Sequence, residues 1–127
     1  MKFYSTKDNA LRLGFEDAVK SGMAPDGGLF MPESIRKLPP DFWRTFDKKS
    51  FQELAVDIAS QFLTDSISSP DLRKIIDRAI VFDAPLIKVE ENVYALELFH
   101  GPTLAFKDFG ARFLASVVGH FAEKKKE

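Results

Sequence analysis

Apolar positions along the chain change period several times, and each change predicts an element. Residues 50–63, SFQELAVDIASQFL, set Phe51, Leu54, Ala55, Ile58 and Phe62 at helical spacing. Ser50 with Glu53 three residues on forms a capping box that marks where this helix starts. Residues 69–80, SPDLRKIIDRAI, repeat the period with Leu72, Ile75, Ile76 and Ala79. Here Ser69 reads as N-cap, Pro70 as first helical residue and Asp71 as a first-turn acid. Both helices have polar opposite faces, so each is expected to pack its stripe on something flat. A third helix, from about Phe106 to Ala122, carries a wide stripe of Phe109, Phe113, Leu114, Val117, Val118 and Phe121. A stripe that wide calls for a sheet, and the chain offers few strands.

The remaining segments are shorter. KFYST and LFMP read as extended, and GFEDAVKSG as a short helix that Gly22 can end at positive φ. Between them APDGG is a turn, with Pro25 fixing φ and Gly27 and Gly28 supplying positive φ. KLPPDFW reads as a prolyl connector before a short turn carrying Trp43. PLIKV and VYALEL, separated by EEN, predict two neighbouring strands or a hairpin.

Composition mostly excludes. With 127 residues, the chain is about one domain's worth. Its net charge is −1, and each half nearly balances: nine Lys/Arg against nine Asp/Glu in residues 1–63, nine against ten in 64–127. Neither half suggests nucleic acid or an anionic membrane as partner. Cysteine is absent, which removes disulfides and thiol chemistry, and two histidines do not build a His-rich metal site. No apolar run approaches the roughly 20 residues of a membrane span. The first residues lack a signal peptide's apolar stretch, so a cytoplasmic location is expected.

One residue stands out chemically. In LELFHGPTLAFKDFGARFL, residues 96–114, Lys107 opens the last helix between Phe106 and Phe109. A cation there meets the positive end of the helix dipole, and apolar flanks would desolvate it. Both effects favour the free amine, the form that condenses with an aldehyde. The bland alternative is a surface lysine snorkelling past its neighbours, which describes most lysines in such turns. A phosphate loop is excluded, because GPTLAFKD lacks the second glycine before the lysine and the Ser/Thr after it.

The segment LELFHGPTLAFKDFGARFL closely resembles the cofactor-lysine segment of threonine synthases, pyridoxal-phosphate enzymes of the tryptophan-synthase-β-like fold. GMAPDGGLFMPE is similar to that family's N-terminal signature, with Met23 where Leu is frequent, and FYST and the Pro/Trp connector agree. The two motifs, in the right order, cover the chain from near residue 3 to about 118. The resemblance implies that Lys107 is both the cofactor-binding and the catalytic residue, carrying pyridoxal 5'-phosphate as an imine and then moving protons. It implies conversion of O-phosphohomoserine and water to L-threonine and phosphate, a carbon–oxygen lyase reaction. It implies a small N-terminal α/β domain at residues 1–90, followed at 91–127 by the first strand and helix of a three-layer cofactor-binding domain. Threonine synthases are several times longer, so the chain is expected to be an N-terminal part, inactive alone.

Nearby residues attract weaker readings. Thr103 is a candidate substrate or phosphate donor, or a helix cap. His100 is a candidate substrate contact, or a hydrogen-bonded structural residue. Gly101 and Pro102 shape the loop, Asp108 suits the dipole and pairs with Arg112 four residues on, and His120 with EKKKE reads as a solvated helix end. The exposed face of the last helix would need cover, and a homodimer is one way to supply it. Two other functions stay open: a threonine-synthase-like phospholyase on a related phosphorylated amino compound, and a non-catalytic interaction module.

Overall fold

The computed structural model describes residues 1–125. The EKKKE terminus and the 91–127 unit therefore each end in two residues that lie outside the described ones. Three antiparallel strands form a small sheet in the order β2 (Arg12–Leu13), β1 (Phe3–Ser5), β3 (Phe30–Pro32), with Phe3 opposite Leu13 and Tyr4 opposite Met31. Helix α1 (Phe15–Ser21) follows β2 and stops at Gly22, φ +71°. The APDGG turn needs its two glycines for different reasons. Gly27 has positive φ (+76°), whereas Gly28 does not; a Cβ there would run into the Ser5 hydroxyl and approach Lys7 N to 3.1 Å. Ser5, fully buried, donates to the Asp26 carboxylate at 2.7 Å, and the Gly28 N–H donates to it at 2.8 Å. That network ties the turn to β1.

The short turn expected to carry Trp43 after the prolyl connector is a helix, α2 (Pro40–Thr45), running into a 3-10 turn at Phe46–Lys48. Pro40 near its start suits φ, and Phe42 buries itself against Trp43 and Phe46. Helix α3 (Phe51–Leu63) has the full capping box: Ser50 accepts from Glu53 N, and Glu53 accepts from Ser50 N at 2.7 Å. Helix α4 (Ser69–Ala79) starts one residue earlier than its sequence suggests. Ser68, not Ser69, is the N-cap, accepting from Asp71 N. Both serines precede Pro70, and only the backbone decides which hydroxyl faces the free amides.

Strands β4 (Leu86–Glu90) and β5 (Val93–Leu96) pair antiparallel across a tight turn at Glu91–Asn92, where Asn92 has φ +62°. A division of the chain after residue 90 runs through this turn. Helix α5 (Lys107–Lys124) closes the described fold.

The core is helix on helix. Leu63, Ile67, Leu72, Ile75 and Ile76 from α3, α4 and their connection enclose Val117 and Phe121 of α5. Each such burial is worth about 1.5–3 kcal/mol relative to exposure. Phe121 also meets Phe15, which meets Phe3, so the small sheet joins the same core through a chain of rings. The expectation of a sheet under α5 is thereby corrected in part: α3, α4 and their connection, not a sheet, cover Val117 and Phe121 of the stripe. Val117, part of the stripe expected to need cover from outside, is 1% exposed within the chain itself. Phe109 and Phe113 are half-buried, while Leu114 and Val118 face outward. Among the described residues, no helix is long and apolar enough to cross a membrane.

Candidate active site

Lys107 is the first residue of α5, and three contacts fix where that helix begins. Phe109, two residues on, packs between Phe82 (ring centroids 4.6 Å) and Phe51 of α3 (5.8 Å). Arg112 donates from Nε to the Ala79 carbonyl at 3.0 Å and from a terminal nitrogen to the Arg78 carbonyl at 2.8 Å. These carbonyls are free because α4 ends there, so one guanidinium caps α4 and anchors α5. The expected Asp108–Arg112 pair is absent, since Arg112 has turned to the neighbouring helix. The third contact is the Asp108 carboxylate, which reaches back over the 101–106 loop. It accepts from Thr103 N at 2.8 Å and from Thr103 Oγ1 at 2.7 Å. These Thr103 hydrogen bonds, hydroxyl first and amide second, hold the Asp108 carboxyl below the usual carboxylate range.

Loop 101–106 is tight. Gly101 is buried, and a Cβ on it would lie 2.6 Å from Asp108 Cβ and 2.8 Å from the Phe82 ring. Its glycine identity serves close packing against Asp108. Leu104, a non-glycine residue, sits at φ +56°, and its N–H donates to the Gly101 carbonyl at 3.0 Å. Such a conformation costs on the order of 1 kcal/mol and is sustained by the surrounding bonds.

The lysine itself stands exposed at the rim of an open depression of ≈ 520 Å³, lined by Leu98, Phe106, Lys107, Phe109, Gly110 and Ala111. The desolvation expected from its aromatic flanks is not there. Phe106, at the N-cap, is 65% exposed, and Phe109 is drawn inward by its packing on Phe82 and Phe51. What the depression offers is an apolar floor with one amine at its edge.

The other two site candidates are placed elsewhere. Neither Thr103 nor His100 lines that depression. Thr103 uses both its donors on Asp108, and it does not cap α5, whose N-cap Phe106 has no side-chain hydrogen bond. His100 Nε2 lies 2.7 Å from Glu97 Oε2, and its ring stacks on Phe99 at 4.7 Å. The position of Asp108 over the loop escaped sequence reasoning, which saw a first-turn acid suited to the dipole. A Thr directly after Gly-Pro and five residues ahead of an Asp was the available signal. His120 is also not solvated as expected: its Nε2 is buried, with no hydrogen-bond partner among the described residues, beside Phe121.

Comparisons with known proteins agree along the chain. The family model described as threonine synthase N terminus matches residues 2–80. The threonine synthase of Escherichia coli K12 is 40% identical over 129 residues, which take in 98% of this chain and 29% of that protein. That of Buchnera aphidicola from Acyrthosiphon pisum is 40% identical over 119 residues, 93% of this chain and 28% of its own. Among solved structures, threonine synthase from Escherichia coli superposes with a TM-score of 0.91 at 39% identity, over 96% of this chain and 28% of that one. Threonine synthase from Brucella melitensis, solved with PLP bound, gives 0.90 at 34% identity over 100% and 28%. The chain thus spans under a third of the length of these relatives.

Proposed function

Because the chain belongs to the threonine synthase N-terminus family, we propose that it is the N-terminal part of an enzyme converting O-phosphohomoserine and water to L-threonine and phosphate. The observation that carries this reading is Lys107, an exposed amine opening a helix, within a chain matched along its whole length by a PLP-bound threonine synthase. We assign Lys107 as the residue that holds the cofactor.

The residues around Lys107 fit such a group in part. Leu98, Phe106 and Phe109 give an aromatic ring an apolar surface, and the amine stands at its rim. The paired glycines at 27–28 do not serve the cofactor's phosphate, since the Asp26 carboxylate already takes the Gly28 N–H. When bound, pyridoxal phosphate supplies an electron sink for carbanion charge. Lys107 Nζ anchors it, and the same nitrogen moves protons at Cα and Cβ of the substrate. Among the described residues that line the depression Lys107 is the titratable one, which supports giving it both roles. His100 and Thr103, held by Glu97 and Asp108, act on the substrate only if those partners release them.

We further assign the protein to the cytoplasm, and we take the outward side of α5, with Leu114 and Val118, as a face covered in the assembled enzyme, by a second copy of the chain in a homodimer. The division into residues 1–90 and 91–127 belongs to the same reading. The test is phosphate release from O-phosphohomoserine by the complete gene product supplied with pyridoxal phosphate. Release above a protein-free control is expected, with none from the 127-residue polypeptide alone. A complete product that forms no threonine would overturn the assignment.

A further inference from the structure

We propose that Asp108 is the positioning residue of the Lys107 amine. Its carboxylate clamps the 101–106 loop to the first turn of α5 through Thr103, and Thr103 serves that clamp rather than the substrate. The inference rests on the reading of Lys107 as the cofactor amine.

Four observations converge on it. Asp108 is adjacent to Lys107 and 6% exposed, although it is a charged residue at a helix start otherwise open to solvent. Buried carboxylates are held only where their oxygens are satisfied, and here both oxygens are taken by one residue, Thr103. Gly101 has no side chain where one would collide with Asp108, so the loop is shaped around the carboxylate. Leu104, between clamp and lysine, is held at positive φ, which a free loop would relax.

The consequence is geometric. Phe109 and Arg112 fix the axis of α5, but the chain enters that helix through Phe106, which has no side-chain cap. Backbone bonds from Asp108 N to the Ala105 carbonyl (3.1 Å) and from Phe109 N to the Phe106 carbonyl (3.3 Å) join the entering loop to the first turn, and the Asp108–Thr103 bonds add the side-chain tie between them. Without that tie the backbone at 104–107 is freer to relax, and Nζ would sample a wider range of positions over the depression. Imine formation depends on holding the amine against the aldehyde carbon, so a loosened clamp slows it.

The test is the rate at which pyridoxal phosphate, fixed by borohydride at timed intervals, labels Lys107 in the complete gene product, read by peptide mass spectrometry well below the melting temperature. Thr103→Val removes the hydroxyl bond but keeps shape and the backbone bond, and should slow labelling about tenfold. Thr103→Ser restores the hydroxyl and should return the rate to within about twofold of the parent. Asp108→Ala should slow it more than Thr103→Val. The exposed position and isosteric change at Thr103 keep the comparison informative even if Asp108→Ala fails to fold. Labelling at the parent rate in Thr103→Val, with melting lowered, would make the clamp merely structural and overturn the proposal. A parent protein labelled on another residue would instead overturn the reading of Lys107, and this role with it.

Discussion

Two regions of this chain use the same apolar vocabulary to opposite effect. In the helical core, Leu72, Ile76, Val117 and Phe121 are each 2% exposed or less. In the β4–β5 hairpin every residue of both strands is exposed, although Leu86, Ile87, Val89, Val93, Tyr94 and Leu96 are as apolar. Leu86 pairs with Leu96 on one face, and Ile87 with Ala95 on the other, so both faces are apolar. Strands of that kind belong to the inside of a larger sheet. The difference lies not in propensity but in whether the cover is within reach of the described residues. Lys107 follows the uncovered hairpin and opens the helix whose later turns bury Val117 and Phe121. It stands at the seam between a region that completes itself and one that presents surface.

The sharpest way to break this comparison is to truncate a leucine in each region. Leu72→Ala in the 127-residue chain should cost about 2–5 kcal/mol in denaturant unfolding, because it empties a fully buried site. Leu86→Ala should change stability by no more than about 0.5 kcal/mol, since nothing among the described residues covers it. Equal losses would show that the hairpin is packed after all.

Next in size is Gly28→Ala. Its Cβ would press on the Ser5 hydroxyl, with Lys7 N at 3.1 Å, and should cost about 1–3 kcal/mol by the same assay. A neutral result would mean that the Ser5–Asp26 network can move aside.

The smallest effect is a pH dependence carried by two carboxylates, one in the 24–28 turn and one at the start of α5. Asp26 is held below the usual carboxylate range by the Gly28 amide and the Ser5 hydroxyl, and Asp108 by Thr103. A depressed carboxylate stabilises the folded state fully above its unfolded value of about 3.9, and that contribution is lost as pH falls through the folded value. The stability advantage of the parent over Asp26→Asn, and over Asp108→Asn, should therefore be constant at about pH 5 to 7 and shrink below about pH 4. An advantage that grows on acidification would reverse the sign of the account.

How much of this was legible in the sequence follows from how local each signal is. The capping box of α3 needs only Ser50 and Glu53, and it stands as read. The start of α4 slipped by one residue because Ser68 and Ser69 are chemically equal caps. Helix α2 spans six residues beside two prolines, too short for a periodic pattern to show. The burial of Val117, the turn of Arg112 toward Ala79, and the reach of Asp108 over its loop all depend on partners far away or on loop shape. The lysine was legible as a residue out of place. Its exposure was not, because period alone cannot say which flanking phenylalanine turns inward.

The most direct test of the central claim is a peptide map of the complete gene product after incubation with pyridoxal phosphate and borohydride reduction, made in parallel on Lys107→Arg. The account predicts one pyridoxyl label, on Lys107, lost in the variant while its melting temperature stays unchanged. A variant that still carries the cofactor covalently at another lysine, to the same extent, would contradict it.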